Sequence, residues 1–357
     1  MLEVRAGEVL MKVINIYPSQ MKAHLQTMVM NNDILFLEFD SFNIFSGSIL
    51  SNFRKLYSVA ISNRLNNFPA SNRNLHIIFH SAHFPKSWLF ILAAAIYFPT
   101  TLVVWGGEFL PRTGIMQFPN KFLRCAAVRC LKNIVFLSAS DERDANDIIP
   151  ARLRRHFIHY YHPSYMRPFA PPSRPRLRVQ IGNSGEASNG HLECIALLGH
   201  VQECDIDLVI PLGYHLDENY GRVLDEKVKN LPVRFESELI FSLLNPDEFD
   251  ELIDSCDALL LSSKRQRALY SIYRYVASGR PVFLPRDAVL KRDLEALGFE
   301  IQALEDIAAL DAAAFRRLCR SRNTGNIATA QARLSLDAIR SDWHALLTSE
   351  EQGLDGV

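Results

Sequence analysis

The sequence has 357 residues with 39 basic and 39 acidic side chains, and 48% of it is apolar and 22% charged. This balance is typical of a soluble globular protein, and the length predicts two domains of roughly 150 to 170 residues each. The zero formal net charge excludes a bulk attraction to nucleic acid, so any basic function must be local. The six cysteines form no C-x-x-C pair or metal-ligand spacing, which indicates reduced thiols in a cytoplasmic protein.

Apolar strand-like runs alternate with helical patterns in the first half, as in βαβ units with a parallel sheet. The strand pattern begins at Met11, so we expect the first ten residues to be a loose extension. The predicted strands occupy residues 12–16, 34–38, 75–79, 102–105 and 134–137.

Residues 88–105 are apolar enough to suggest a membrane span, but Pro99 and the two threonines after it divide the run. Neither part approaches the roughly 20 residues that a spanning helix needs. We therefore expect a buried helix followed by a buried parallel strand.

Residues 151–178 contain seven arginines, five prolines and no acid. Such Pro-rich sequence resists regular structure, so we expect the domain boundary near residues 168–175. Together with Arg124, Arg129 and Lys132, this segment either holds anionic lipid headgroups or is a solvated linker.

The second half repeats the alternation and ends in helices, the last over residues 328–347. Its predicted strands are residues 177–181, 207–211, 233–235, 258–261 and 282–284. The pattern predicts an α/β protein with two doubly wound, Rossmann-like domains facing a cleft, where ligands bind at the carboxyl ends of the strands.

Residues 177–193 read LRVQIGNSGEASNGHLE, a strand followed by a glycine-containing turn and a helix over residues 189–198. Unpaired backbone N–H groups and a helix N-terminus at such a turn form an anion site. The alternative is an ordinary βα turn, because the run is not a full G-x-G-x-x-G.

The apolar strand 102–105 ends in Gly106-Gly107-Glu108. A carboxylate just past the end of a buried strand points into the cleft, where partial desolvation raises its pKa toward that of a general base. The alternative for Glu108 is a solvated loop residue or a helix cap.

Residues 262–285 follow another predicted strand and begin Ser-Ser-Lys-Arg-Gln-Arg. Lys264, Arg265 and Arg267 at a helix start, with the later Ser-Gly-Arg-Pro turn, would converge on a diphosphate. A solvated basic helix is the alternative.

Several of these motifs occur together, in the same order, in one bacterial family. They are Phe79-His80 with Trp88, Trp105-Gly106-Gly107-Glu108, Gly182-Asn183-Ser184-Gly185 with Ser188-Asn189 and His191, Pro211 with Gly213-Tyr214, and Ser278-Gly279-Arg280-Pro281. The sequence resembles the Fuc4NAc transferases that act on a polyprenyl-diphosphate-linked acceptor in the synthesis of enterobacterial common antigen, an inverting family with the GT-B fold. It departs from the family pattern at Glu108, where Asp is usual, and at residues 267–271, where the family has glycine.

The resemblance implies an N-terminal acceptor domain over residues 1–165, a nucleotide-sugar domain over 166–325, and a C-terminal helical segment over 326–357 that packs back on the first domain. It also implies a nucleotide diphosphate sugar as donor, such as a dTDP-sugar. The residues expected to bind the donor are Gly182, Asn183, Ser184, Gly185, Asn189, His191, Tyr214, Arg265, Arg267 and Ser271.

For catalysis the first candidate for the general base is Glu108 and the second is His80, whose alternative is a local hydrogen-bonding role. No metal is expected, because arginines can offset the charge of the leaving diphosphate. The Asp205-Ile206-Asp207 run opens a strand at the end away from the cleft.

The partners implied are the donor, a lipid-linked glycan and an anionic membrane surface, which predicts peripheral attachment to the cytoplasmic face of the bacterial inner membrane. Two other functions stay open at this point. One is a GT-B-like nucleotide-sugar epimerase, and the other is a non-catalytic nucleotide-binding scaffold.

Overall fold

The structure is a computed structural model that describes residues 4–6, 9–18, 35–39, 75–82, 85–105, 109, 117–170, 174–201, 204–214, 216–232 and 234–348. The chain divides into two compact units. Unit 1 comprises Met1–Tyr161 together with Ile339–Val357, and unit 2 comprises His162–Ala338.

Unit 1 is built on a largely parallel sheet, as the alternating pattern predicts. Its strands are β1 (Val4–Ala6), β2 (Val9–Pro18), β3 (Leu35–Phe39), β4 (Leu75–His80), β5 (Thr100–Val104), β6 (Asn133–Phe136) and β7 (Arg154–Phe157). Its helices are α1 (Pro85–Tyr97), α2 (Gln117–Cys130) and α3 (Ala139–Ala145).

The sheet is ordered β1-β2-β4-β5-β6-β7, and β3 pairs with β2. The chain leaves β2 toward β3 on one side and then continues from β4 on the other, so the strand order reverses between β2 and β4. In doubly wound sheets ligands bind at the carboxyl ends of the strands beside such a reversal. His80, the last residue of β4, lies at that place.

Two expectations for this unit are wrong. Residues 4–6, 9 and 10 are not part of a loose extension, because Val4–Ala6 pairs antiparallel with the start of β2. The arginine-rich segment also contains a strand, β7, whose residues pair in parallel with Asn133–Phe136. None of the four side chains of β7 is fully buried, as suits an edge strand, and this hides β7 from an apolar pattern.

The apolar run 88–105 forms the end of α1 and all of β5. The strand is buried throughout, but the helix is not, since Leu89, Ile96 and Tyr97 are exposed. The expected buried helix is thus buried on one face only. No described helix is long and apolar enough to cross a membrane.

Unit 2 contains a second parallel sheet. Its strands are β8 (Leu177–Ile181), β9 (Ile206–Pro211), β10 (Phe235–Ile240), β11 (Ala258–Leu260), β12 (Val282–Leu284) and β13 (Gln302–Ala303). Its helices are α4 (His191–Leu198), α5 (Glu218–Lys229), α6 (Pro246–Asp254), α7 (Leu269–Ala277), α8 (Val289–Ala296), α9 (Ala312–Arg320) and α10 (Thr324–Leu334), and α11 (Leu336–Thr348) continues into unit 1.

The strand order β10-β9-β8-β11-β12-β13 is that of a Rossmann fold, and it reverses between β8 and β11. The strand predicted at residues 233–235 begins only at Phe235 and runs to Ile240. Three consecutive exposed residues, Glu236 to Glu238, make this edge strand too polar for an apolar pattern to detect.

The helix predicted over residues 328–347 is two helices, because Ser335 is extended, with φ −66° and ψ 156°. The Ser335 hydroxyl accepts the backbone N–H of Ala338 at 3.3 Å and so caps α11. Trp343 of α11 lies in unit 1, with its ring centroid 6.4 Å from that of His80.

The Ser278-Gly279-Arg280-Pro281 turn does not present a cation to a diphosphate, contrary to expectation. The turn precedes β12 and therefore lies at the amino ends of the strands. Ligands bind at the opposite edge of the sheet, at the carboxyl ends of the strands beside the reversal. The Arg280 side chain is fully buried and donates to the carbonyl of Cys256 at 2.8 Å. The ring of Phe169 lies 4.1 Å from the Arg280 guanidinium and 4.4 Å from that of Arg322.

Candidate active site

The turn after β8 lies beside β11, at the strand reversal of unit 2. Gly182 has φ +68°, a conformation that glycine adopts without strain. Its N–H donates to the carbonyl of Leu260 at 2.9 Å, and the N–H of Gly185 donates to that of Tyr214 at 2.8 Å. The backbone of this turn is thus largely occupied in joining the ends of β8, β9 and β11.

Asn189 holds the turn together from inside. It is fully buried, and its Oδ1 accepts the N–H of Asn183 at 3.2 Å. Its Nδ2 donates to the hydroxyl of Ser184 at 2.9 Å and to the carbonyl of Glu186 at 3.0 Å. The N–H groups of Gly182, Asn183 and Gly185 thus have partners within the chain and are not among the unpaired N–H groups expected at this turn.

His191 is the first residue of α4 and is fully buried. Its Nδ1 lies 3.0 Å from the hydroxyl of Tyr220, whereas its Nε2 has no hydrogen-bond partner among the described residues. Burial lowers the pKa of His191 to about 4, which the backbone of Ser184 partly offsets. The ring is therefore neutral at physiological pH.

Two helices begin at this edge of the sheet, α4 after β8 and α7 after β11. Within the described part of the chain, no side chain caps the N-terminus of either helix. Gly190 precedes α4 with φ +66°, and a Cβ there would lie 2.4 Å from the Cβ of Ser262. The start of α4 thus packs directly on the loop that leads to α7, and two uncapped N-termini flank the strand reversal.

The loop between β11 and α7 carries the predicted cations, but it uses two of them internally. Lys264 pairs with Asp287 at 2.9 Å, both largely exposed. Arg267 forms a two-pronged ion pair with Glu186 from the turn after β8, with Nη2 2.9 Å from Oε1. Arg265 is exposed in the same loop.

Ala268 precedes α7 with φ +55°, a left-handed conformation that disfavours any residue with a Cβ. It falls within the stretch where related transferases have glycine. Ser271, in the first turn of α7, is buried, and its Oγ has no hydrogen-bond partner among the described residues. A buried hydroxyl at an uncapped helix N-terminus, next to a strained residue, is typical of a ligand site.

Tyr214 follows β9 and is 57% exposed. Its backbone carbonyl accepts the N–H of Gly185 from the turn after β8, which places Tyr214 beside that turn. Sequence reasoning missed Ser262, Ala268 and Tyr220. A signal for Ala268 exists in the glycine that the family has nearby, whereas Tyr220 lies on a helix 29 residues from its partner His191 and gives none.

In unit 1, His80 is buried and its Nδ1 hydrogen-bonds the hydroxyl of Tyr160. The indole N–H of Trp105 donates to the same hydroxyl at 3.1 Å. Burial lowers the pKa of His80 to about 3, so the imidazole is neutral. The residue after it, Ser81, has φ +76°, a second strained position at the carboxyl end of a strand. Glu108 lies outside the described residues.

No group of three or more His, Cys, Asp or Glu side chains with metal-site geometry occurs among the described residues. The Asp-x-Asp pair at 205 and 207 lies at the amino end of β9 and is engaged by Arg176, which ion-pairs with Asp207 and lies 4.0 Å from Asp205.

Most arginines of residues 151–178 also have partners inside the chain. Arg155 pairs with Glu142 at 2.9 Å, Arg174 with Asp257 at 3.5 Å, and Arg178 with Glu238 at 2.5 Å. Arg167 lies 3.5 Å from Asp250. The segment contains no acid, but acids from other elements neutralise much of its charge.

Two units that each contain a parallel, Rossmann-like sheet are the units of the GT-B fold, and solved structures share this fold. A glycosyltransferase from Rickettsia africae ESF-5 is similar to this chain, with a TM-score of 0.66 and 15% identity. The match covers 95% of this chain and 99% of that glycosyltransferase. It is similar over 95% of its length to all of HepE from Anabaena in complex with UDP and glucose, with a TM-score of 0.64 and 11% identity. It matches 97% of a trehalose-6-phosphate synthase from Burkholderia multivorans over 97% of its own length, with a TM-score of 0.58 and 10% identity.

Residues 16–349 match the family described as 4-alpha-L-fucosyltransferase, glycosyl transferase group 56. The chain belongs to this family. It is therefore a glycosyltransferase, as its resemblance to the Fuc4NAc transferases implies.

Proposed function

We propose that the protein transfers a deoxyamino sugar, with inversion, from a dTDP-sugar to a polyprenyl-diphosphate-linked glycan in the synthesis of a surface polysaccharide resembling enterobacterial common antigen. The main support for a nucleotide diphosphate sugar as donor is the pair of uncapped helix N-termini at the strand reversal of unit 2. The family's fucosyltransferase description supports a deoxyhexose as the transferred group.

The donor diphosphate would lie at the start of α7. There the Ser271 hydroxyl has no partner among the described residues, and the exposed Arg265 supplies positive charge. Arg267 would turn from Glu186 toward the phosphates. The turn 182–185, Asn189 and His191 would shape the wall of the site rather than bind phosphate through their N–H groups, and the ring of Tyr214 would contact the base or the sugar.

Transfer requires a base that takes the proton of the acceptor hydroxyl while the oxygen attacks the anomeric carbon and the nucleotide diphosphate leaves. Glu108 is our first candidate. His80 is the second, although its burial and its hydrogen bond to Tyr160 favour a role in holding Tyr160 and Trp105. Because Arg265 and Arg267 would stabilise the leaving diphosphate, a metal ion is not part of the proposal.

The polyprenyl chain of this acceptor lies in a bilayer, so the proposal includes peripheral attachment to the cytoplasmic face of the bacterial inner membrane. HepE, solved in complex with UDP and glucose, supports a nucleotide-sugar donor by analogy of fold.

The test is donor-dependent transfer onto detergent extracts of bacterial membrane lipid, with dTDP-, UDP- and GDP-sugars offered in parallel. We expect transfer from a dTDP-sugar, and we expect Glu108→Gln to abolish it while dTDP binding is retained. Ser271→Ala should weaken dTDP binding about tenfold, whereas Ser237→Ala, on the exposed edge strand β10, should not. Conversion of a nucleotide sugar without lipid would indicate an epimerase, and binding without turnover would indicate a scaffold.

A further inference from the structure

Helices α1 and α2 together expose several large apolar side chains, and patches of such side chains mark interaction surfaces. Ile96 is 61% exposed, Tyr97 75% and Phe122 77%. Leu89, which is 43% exposed, lies seven residues before Ile96 and so shares its face of α1. The opposite face of α1 packs into the core through Phe90, Ile91 and Ala94.

The outward faces of these two helices form one surface. Helix α1 connects β4 to β5 and α2 precedes β6, and these three strands are consecutive neighbours in the sheet. Right-handed crossovers that advance in one direction place their helices on the same side of a sheet. Residues of the two helices contact each other and share one core cluster, so α1 and α2 lie side by side. We call their solvent-facing residues, Leu89, Ile96, Tyr97, Lys121, Phe122 and Arg129, the α1–α2 surface.

The charge of the α1–α2 surface has one sign. Neither helix contains an acid, and Lys121 and Arg129 are exposed. Among the described residues no ion pair joins either side chain to a carboxylate. The guanidinium of Arg152 adds to this charge, because it donates to the carbonyl of Arg129 at 2.5 Å.

This surface contrasts with the arginine-rich segment of residues 151–178, where the arginines other than Arg152 are mostly paired with acids. It also contrasts with the exposed Phe241 and Leu243 of unit 2, which precede the acids Asp247 and Glu248. Exposed apolar groups next to cations that no described acid neutralises occur together on α1 and α2. An anionic partner with an apolar interior fits both properties.

We propose that the α1–α2 surface docks on a lipid bilayer that carries anionic headgroups. Aromatic and aliphatic side chains flanked by Lys and Arg are the groups that enter the interface of such a bilayer, and α1, with 13 residues, is too short to span it. The biological purpose of this docking, to bring the enzyme to a lipid-linked acceptor, rests on the proposed function.

The test is co-sedimentation of the full chain with phosphatidylcholine vesicles that contain or lack phosphatidylglycerol, at low and high salt. We expect binding only to the anionic vesicles, with release at high salt. Tyr97→Ser with Phe122→Ser, and separately Lys121→Glu with Arg129→Glu, should each reduce binding at least about tenfold. The matched controls are Leu243→Ser and Arg317→Glu, which alter exposed residues of unit 2 and should bind as the wild type does.

All variants change exposed side chains, so their thermal unfolding midpoints should match that of the wild type. If the wild-type protein does not bind anionic vesicles but transfers sugar to a detergent-solubilised acceptor, the proposed docking surface is wrong and the proposed function stands. Vesicle binding lost in the α1–α2 variants, with no transfer from any nucleotide sugar, would support the surface and overturn the function. Equal binding by variants and controls, or binding of an acidic protein in place of lipid, would overturn the surface.

Discussion

The imidazole of His191 lies against Gly182 so closely that a Cβ on that glycine would be 2.5 Å from Nε2. The glycine is needed twice, once for φ +68° and once for the space that the ring occupies. A neutral ring suits this site, because burial removes the water that would stabilise a charged ring.

The burial of His191 makes stability depend on pH. The pKa of His191 is about 4 in the folded chain and 6.5 is its ordinary value, so between these pH values the unfolded chain binds more protons. Stability therefore falls as the pH falls through this window, by up to about 3 kcal/mol from this residue. We expect the free energy of unfolding of His191→Gln, measured with denaturant, to have a smaller slope against pH in this window, because the variant lacks the contribution of His191. His200→Gln, at an exposed site, should keep it, and an unchanged slope in the His191 variant would contradict the assignment.

Gly190 combines a left-handed conformation with a close contact, whereas Gly298 has the conformation without the contact. Gly298 has φ +98° with its nearest neighbour at 3.6 Å, so Gly298→Ala should cost about 1 to 2 kcal/mol for the backbone alone. Gly190→Ala should cost about 1 to 3 kcal/mol more, because the methyl group meets Ser262. Chemical denaturation measures both, and equal losses would show that the loop moves aside freely.

Ala268 and Ala288 each precede a helix, but only Ala268 has a positive φ. Ala268→Gly should stabilise the protein by less than about 1 kcal/mol, since relief of the strain exceeds the greater entropy of the unfolded chain. Ala288→Gly has no strain to relieve and should destabilise by about 1 kcal/mol. The measurement is the unfolding midpoint of each variant. A shift of both midpoints in the same direction would contradict the prediction.

The ion pair of Arg267 with Glu186 competes with the donor in the proposed site. Replacing the carboxylate by an amide frees the guanidinium and removes a negative charge, so Glu186→Gln should bind dTDP more tightly, up to about tenfold. Calorimetric titration measures this. Glu226→Gln, on the exposed face of α5, is the control and should bind as the wild type does. Weaker binding by the Glu186 variant would mean that the pair supports the site instead.

Asp254 is the acid that faces the buried Arg274 and Arg280, at 2.7 and 3.5 Å. Asp254→Asn leaves two buried cations without an anion and should cost about 3 kcal/mol of unfolding free energy. Asp306→Asn breaks an exposed pair with Arg286 and should cost less than about 1 kcal/mol. Similar losses in the two variants would show that water reaches the buried cluster.

The sequence predicts the parallel strands well where both faces are buried, as at Leu177–Ile181 and Val282–Leu284, because continuous apolar runs report such burial. It fails at edges. The strands Arg154–Phe157 and Phe235–Ile240 present polar side chains to water, and the apolar pattern weakens accordingly.

The sequence predicts the position of the candidate site but not the hydrogen bonds and ion pairs within it. Strand ends followed by Gly, Ser and Asn locate the turn at Gly182, and the family resemblance gives the reaction class. No local pattern reports that Asn189 satisfies the N–H of Asn183, or that Arg267 pairs with Glu186 across 81 residues. Such contacts depend on the tertiary arrangement of three loops.

The helix α11 has a consequence for the order in which the chain folds during synthesis. Unit 2 is continuous in sequence and is complete once residue 338 has emerged from the ribosome, whereas unit 1 includes Ile339 onward. The buried Trp343 and Leu346 belong to unit 1, and the Trp343 ring lies beside His80. The half of the protein that is translated first is therefore the half that is finished last.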